Sequence, residues 1–515
     1  MDVSKLPATA KAGLGLAAFY LLYLLVASIT LWSKRRAFKR EKGVMAVPWY
    51  QAADPIFGID VVRGNIKNLK EHKLLERSHE RFDIMGVNTF QINVLDRHIH
   101  VTREPENLKV IQAVDFKKWT LGRRRKIDFA PLLGSGIFTT DGAEWQHSRE
   151  MLRPNFVRSQ VGDLATFENH IGHLIQAIQP NTTVDLSVLF FRLTIDSATE
   201  FLFGESTNSL TNSNGEGGFA EAFTSSQDYI ANSTRWGVLG KILNTEQKQF
   251  EKNNKFCHDF VDYFVDKGLA RRTELLSNPK PDRYVFIDEL VRQTTDRKRI
   301  RDESLNILLA GRDTTASLLT NVWFILSKRP DIWTALQTDV ARLKGAKPTF
   351  EQLKDLKYLK ALLNESLRLH PVVPLNSREA TEDTTLPVGG GPSGRAPIFI
   401  KAGEIVSWNV YSLHRRKDFY GPDAEEFRPE RWLDDPETGK KGLRPGWEYL
   451  PFNGGARICL GQQFALTEAS YATVRLCQTF AGIESRDPEE HWQEFLTLTG
   501  VNLNGAKVAL TPREG

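Results

Sequence analysis

The chain has 515 residues, 41% hydrophobic and 25% charged, with a net charge of +5. That length and apolar content allow a large buried core and exclude a disordered or low-complexity chain. Three cysteines (Cys257, Cys459 and Cys477) with no C-x-x-C spacing exclude a disulfide framework and a zinc–cysteine cluster.

The basic excess is local: residues 34–42 hold six basic residues and one acidic. They follow an uncharged run, residues 12–32, rich in Leu and Ala and ending at Trp32. As a helix this run is about 30 Å long, one bilayer crossing. With the positive charge after it and no evident small-residue cleavage site, it reads as an anchor rather than a cleaved signal peptide. The positive-inside bias puts the N-terminus in the lumen and the rest in the cytosol. The expected division is 1–33 lumenal N-terminus and transmembrane anchor, 34–49 basic linker, and 50–515 a folded cytosolic domain. Val47-Pro48-Trp49 is expected to turn the chain off the membrane. The near-neutral remainder gives no sign of a nucleic-acid surface. The sequons at Asn181 and Asn232 would then face the cytosol and stay unmodified.

Residues 90–95 and 98–101 alternate as a β-hairpin. The basic stretch 121–126 reads as a solvated loop. Trp145 and Arg149, four apart, share one helical face, which alone suggests a surface cation–π contact. Residues 156–300 are mostly helical and charged, with a Ser/Asn/Gly-rich loop at 206–218 and no legible motif.

Residues 302–327 carry apolar side chains on several faces, which predicts a helix of about 39 Å buried nearly all round. Its longest uncharged run, 314–327, is too short for a second membrane span, and Arg329-Pro330 ends it. Mid-helix stands Ala310-Gly311-Arg312-Asp313-Thr314-Thr315. Gly, Asp and two threonines suit a buried helix centre poorly, and such a local penalty marks function. Gly311 leaves room for a flat ligand, Thr314 can pass a proton or back-bond to a carbonyl, and Asp313 can bring protons inward. Glu365 and Arg368, three apart, can pair. Gly389-Gly390-Gly391 lacks a phosphate-loop context and predicts a turn between strands near 385–387 and 397–400.

Cys459 stands in the turn Phe452-Asn453-Gly454-Gly455-Ala456-Arg457-Ile458-Cys459-Leu460-Gly461, and a helical pattern begins at Gln462. The free N–H groups and positive end of that helix favour a thiolate. Gly455 and Gly461 allow shapes and approaches a Cβ would forbid. Phe452 can wall off the sulfur, and Arg457 can meet an anion. Cys257 and Cys477 lie in helical patterns and read as small buried hydrophobes.

The spacing F-x-x-G-x-R-x-C-x-G resembles the haem-binding loop of the cytochromes P450. The Ala310–Thr315 stretch resembles that family's oxygen-activation motif, A-G-x-D-T-T. Glu365 and Arg368 resemble its E-x-x-R pair, and Phe427-Arg428-Pro429-Glu430-Arg431-Trp432 its loop with a third arginine, Arg431. These motifs stand in the family's order. The resemblance implies a mainly α fold with small β-sheets, the cytochrome P450 fold, with haem b between the long helix and the Cys459 loop. It implies that the Cys459 thiolate is the iron's axial ligand and that Trp145 and Arg149 bond one propionate. Arg378 is the candidate for the second. Arg457, Phe452, Gly455, Gly461 and Gly311 belong to the same haem site, Asp313 and Thr314 form a proton relay, and Glu365, Arg368 and Arg431 form a buried triad. Val372, Val373, Leu375, Leu496 and Leu498 are the candidate substrate-pocket residues.

Residues 310–316, 459–469 and 133–142 resemble the fungal microsomal P450s that hydroxylate n-alkanes and fatty acids. The activity implied is a monooxygenase that inserts one atom of O2 into a C–H bond of such a substrate. The alternatives are a P450 tailoring a terpenoid or polyketide, and a non-catalytic haem binder that would have no need of Asp313 and Thr314. No flavin or nicotinamide domain fits in this length. Electrons are therefore expected from outside, and the resemblance implies their source: NADPH through a separate membrane-bound flavoprotein, NADPH-cytochrome P450 reductase. Lys440, Lys441 and Arg444 either meet its acidic face or form a solvated loop. The expected location is the endoplasmic reticulum membrane, single-pass.

Overall fold

The N-terminal apolar run forms a helix, Ala8–Glu41, whose stretch from Ala12 is long and apolar enough to cross a membrane. The first eight residues of the expected basic linker continue this helix. Gly43, at φ +63°, then turns the chain, ahead of the Pro48 step expected to do so. The molecule was analysed as a computed structural model, which describes residues 7–514 apart from 96, 157–163, 213–217, 244–245 and 278–283. Part of the 206–218 loop thus lies outside the described residues.

The folded domain is mainly helical with small sheets, as expected. Its axis is the helix Arg297–Lys328, five residues longer at its start than the apolar pattern indicates. Asp296 caps it, accepting the Arg299 N–H at 3.1 Å, so the charged turn 297–301 joins the helix. At 32 residues it is about 48 Å long. Leu186–Phe203, Gln247–Ala270 and Gln462–Thr479 pack along it. One apolar cluster surrounds its first half from Ile300 to Leu308, and another its second half from Ala316 to Leu326. Between them Leu309, Ala310, Gly311 and Thr314 are only half-buried. A helix sealed at both ends and open in the middle borders an internal space.

A five-stranded sheet runs in the order Thr89–Val94, Arg97–Thr102, Ile405–Asn409, Leu375–Ala380, Trp119–Thr120. Its first pair is the expected hairpin, with Thr89 opposite Thr102 and Val94 opposite Arg97. Thr384–Gly390 and Ala396–Ile400 form a second hairpin. Gly389 and Gly390 belong to its first strand, so the turn begins later than the triplet suggests, at Gly391 with φ +71°. A third, short hairpin pairs Glu494–Leu496 with Gly500–Asn502. The basic stretch expected as a solvated loop instead starts the helix Arg123–Leu133. Cys257 and Cys477 are buried, as expected of packing residues.

Candidate active site

The Cys459 loop contains a short 3-10 turn, Gly455–Arg457, and is closed by the Cys459 N–H donating to the Phe452 carbonyl at 3.0 Å. Gly455 has φ +60°, and a Cβ there would lie 1.9 Å from the Gln112 carbonyl oxygen. Gly454 donates its N–H to Gln112 Oε1 at 2.8 Å. Gln112 lies in a π-helical segment, Val110–Val114, so an irregular turn far away in sequence seats the loop. Gly461 differs from expectation: its φ is −85°, and a Cβ there would meet only Phe156 at 4.0 Å. Among the described residues, no protein group demands a glycine at that position.

Cys459 lies deep in the molecule yet keeps an exposed side chain, so it faces an internal space. Burial pushes its thiol up, while the Gly461 N–H, the Arg149 charge and the Gln462 N–H pull the other way. Burial wins for the bare thiol. A cation at the sulfur reverses that balance, because the same donors then serve a thiolate. Leu460 and Leu309 flank one apolar cluster, which ties the loop to the open middle of the central helix.

On that helix the Thr314 hydroxyl donates to the Ala310 carbonyl at 2.7 Å. A Cβ at Gly311 would find only Ala198 at 3.9 Å, so the space beside it is free. Asp313 is 5% exposed and bonded to Arg312 Nη1 at 2.9 Å. Burial raises its pKa, opposed by Arg312 and Gln227. One neighbour lay beyond the reach of sequence motifs. Glu468, nine residues past Cys459, is buried beside Ser197 and Thr315, and burial pushes its carboxyl up to about 8.

Beside the loop stands a cationic cluster. Arg457 Nη2 bonds Asp141 Oδ1 at 2.6 Å and the Thr140 carbonyl at 3.0 Å, and its guanidinium lies 4.4 Å from the Trp145 ring. Arg378 Nη1 donates to Asn376 Oδ1 at 3.0 Å and to the Ser377 carbonyl at 2.7 Å. Burial, Arg125 and Arg457 together lower its pKa to about 9. Arg125 is the third member, and sequence reading missed it because it stood in a presumed solvated stretch. Among the described residues, the Nε atoms of Arg125 and Arg457 are buried without hydrogen-bond partners. Asp141 must serve Arg457 and also Lys126, at 3.1 Å. Three inward arginines that share one such carboxylate fit a bound dianion, and the haem propionates supply two carboxylates. Arg149 shares the Trp145 ring, its guanidinium 5.7 Å away as their spacing suggests, and its Nη1 donates to the Ile458 carbonyl at 3.1 Å, beside the sulfur.

The Glu365–Arg368–Arg431 group is assembled as a buried network. Arg368 Nε and Nη2 each reach Glu365 at 2.8 Å, and Arg431 Nε reaches it at 2.9 Å. Trp432 Nε1 and the Arg428 N–H complete the shell, each at 2.9 Å. Arg368 also donates to the carbonyls of His414, Ala424 and Glu426, which holds the segment leading toward the cysteine loop. Burial pushes Glu365 up, but the Arg368 and Arg431 contacts outweigh it and its pKa is lowered.

The five candidate pocket residues come from two touching segments, since Gly500 donates its N–H to the Val372 carbonyl at 2.8 Å. Val372 is packed into the core, whereas Val373 and Leu375 are each 38% exposed. Leu496 is buried, and Leu498 is half-buried against the cluster that Leu309 also flanks. Phe452 packs at the edge of the other cluster. Lys441 and Arg444 are exposed and pair with Asp434 at 3.3 and 3.0 Å.

The cytochrome P450 family model matches residues 60–500. The cytochrome P450 monooxygenase himC of Aspergillus japonicus is 44% identical over 97% of this chain and 90% of its own length. Cytochrome P450 52A12 of Debaryomyces hansenii is 45% identical over 89% of this chain and 91% of its own. The cytochrome P450 monooxygenase FPY7 of Fusarium mangiferae is 41% identical over 96% and 95%.

Proposed function

The chain belongs to the cytochrome P450 family of haem-thiolate monooxygenases, and from that premise we propose a membrane-anchored enzyme that hydroxylates a hydrophobic substrate, a fatty acid or n-alkane. The observation that carries the haem assignment is one thiol exposed deep in the protein, two residues from an arginine of a cationic cluster short of counter-charge. Cys459 would hold the iron, and Arg125, Arg378 and Arg457 the propionates, with Trp145 stacked on Arg457. Arg149 would support the sulfur side of the loop.

Haem, when bound, supplies dioxygen activation and C–H oxidation. The protein's own part is to position, to exclude water and to move protons. Thr314 donates a hydrogen bond to the Ala310 carbonyl in the resting helix, and turning its hydroxyl outward offers that proton to the space beside Gly311. Asp313, a carboxylate while Arg312 holds it, takes up a proton from solvent when Arg312 lets go, because burial then favours its neutral form, and passes that proton inward. The apolar residues Leu309, Val373, Leu375, Leu496 and Leu498 suit a hydrocarbon chain. Electrons come from NADPH through a separate reductase, for which Lys440, Lys441 and Arg444 are candidate contacts.

A lipid chain is favoured by the stretches 310–316, 459–469 and 133–142, which resemble the fungal P450s that hydroxylate n-alkanes and fatty acids. The second reading is a P450 tailoring a terpenoid or polyketide, which shares every one of the haem-site motifs and differs only in its pocket. Incubation with reductase, NADPH and either dodecanoic acid or hexadecane separates them: hydroxylated product supports the first, and none from either supports the second. The reduced, carbon-monoxide-bound protein is expected to show the red-shifted Soret band of a thiolate ligand, lost in Cys459→Ala. Absence of that band in the unmodified protein would overturn the haem assignment.

A further inference from the structure

The anchor helix does not stop where the membrane would. It continues to Glu41, and two residues of its last turns, Arg35 and Phe38, lose exposure while their neighbours stay exposed. They stand three apart and share a face. Arg35 forks onto Asp383, Nε to Oδ2 at 2.6 Å and Nη2 to Oδ1 at 2.9 Å. Asp383 is held for it by the Ala402 N–H, at 2.9 Å. The ring of Phe38 lies 6.0 Å from Phe399, and Lys39 Nζ 4.4 Å from the same ring. After the Gly43 turn the chain returns along the hairpin, where Met45 donates to the Pro397 carbonyl and Gly391 to the Ala46 carbonyl, each at 2.9 Å. A Cβ at Gly391 would stand 2.8 Å from the Met45 sulfur, so the glycine makes room for this return.

These contacts lie at both ends of the 384–400 hairpin. Asp383 and Ala402 stand at its base, and Gly391 at its tip. They fix a direction as well as a position. Resting on the proposed transmembrane reading of residues 12–32, the geometry sets a height too. Arg35 is three residues past Trp32, about 4.5 Å along the axis. The headgroup layer is about 5–7 Å deep on each side of the hydrocarbon. Arg35, and therefore Asp383, must lie within or at the edge of that layer.

We infer that the base of the 384–400 hairpin, around Asp383 and Ala402, is a mooring surface that rests against the headgroups of the bilayer carrying the anchor, with the Arg35–Asp383 pair holding it there. The catalytic domain is thereby carried in one orientation instead of swinging on a linker. The hairpin base touches lipid, and its tip points into water.

The test uses full-length holoenzyme in phosphatidylcholine vesicles, with a nitroxide at Ala402→Cys or at Ser393→Cys near the tip. Vesicle flotation reports the anchor independently. The expected result is that the label at 402 is relaxed by membrane-dissolved oxygen and shielded from a water-soluble nickel chelate, and that the label at 393 shows the reverse. Adding Asp383→Arg should raise nickel access at 402 severalfold, and the exchange Arg35→Asp with Asp383→Arg should restore shielding. A protein that fails to float removes the anchor reading and the mooring with it. A protein that floats with 402 as water-accessible as 393, or with 402 unmoved by Asp383→Arg in a holoenzyme of normal carbon monoxide spectrum, overturns the mooring alone.

Discussion

Glu365 and Arg368 meet fork to fork at 2.8 Å on both contacts, with neither side chain exposed to solvent. The other hydrogen bonds of Arg368 go to backbone carbonyls between 414 and 426, so this pair is a fastener for the segment that precedes the cysteine loop. Arg368→Ala leaves Glu365 buried with one cation fewer and strands three carbonyls. A cost of about 3–5 kcal/mol is expected, read as lower thermal stability and weaker haem retention. Arg368→Lys should rescue little, because an ammonium cannot fork onto Glu365 and reach the carbonyls together. Since Glu365 has a lowered pKa, its contribution is complete above the ordinary carboxylate range and disappears only as the pH falls through its folded value.

Asp313 and Thr314 make separable predictions. Thr314→Ala should keep haem and the thiolate spectrum while diverting NADPH consumption to peroxide, and Thr314→Ser should recover most coupling. Asp313→Asn should slow turnover by about 10²-fold, the scale of a lost proton-transfer group. Unchanged product yield and rate in both would remove the proton path from this pair.

Arg125 tests the cationic cradle. Arg125→Leu relieves crowding with Arg378 and Arg457 but leaves less to meet a propionate. The apoprotein variant should bind haem about 10-fold more weakly, in line with loss of one charged hydrogen bond, when titrated by absorbance. The reductase-dependent product distribution should not change.

Glu468 predicts a pH effect opposite in sign to that of Glu365. Its folded pKa of about 8 is above the ordinary value, so the folded protein holds a proton that the unfolded chain releases. Stability should therefore fall as the pH rises from the ordinary carboxylate range to about 8, and level off beyond. Glu468→Gln keeps the hydrogen-bonding shape without the charge. It should flatten that profile and be the more stable protein at alkaline pH, measured by denaturant unfolding.

What is local along the chain could be read from the residues alone. A glycine-rich turn running into a helix was legible at Cys459, and a penalty of Gly, Asp and Thr inside an apolar helix was legible at 310–315, because each pattern is complete within one element. The hairpin at 89–102 was legible for the same reason. Where the sequence misled, a local signal met a distant partner. Arg125 looked solvated until the fold set it against Arg378 and Arg457, and the central helix gained its first turn from the Asp296 cap.

Contacts whose partners carry no mark of each other came into view with the folded chain. Gln112 seats Gly454 across 342 residues, and Arg35 grips Asp383 across 348. A glutamine, or one arginine among six basic residues, is chemically ordinary in its own segment. It acquires a role only when the fold brings a matching partner within reach, and that is a property of the folded molecule rather than of any stretch of chain.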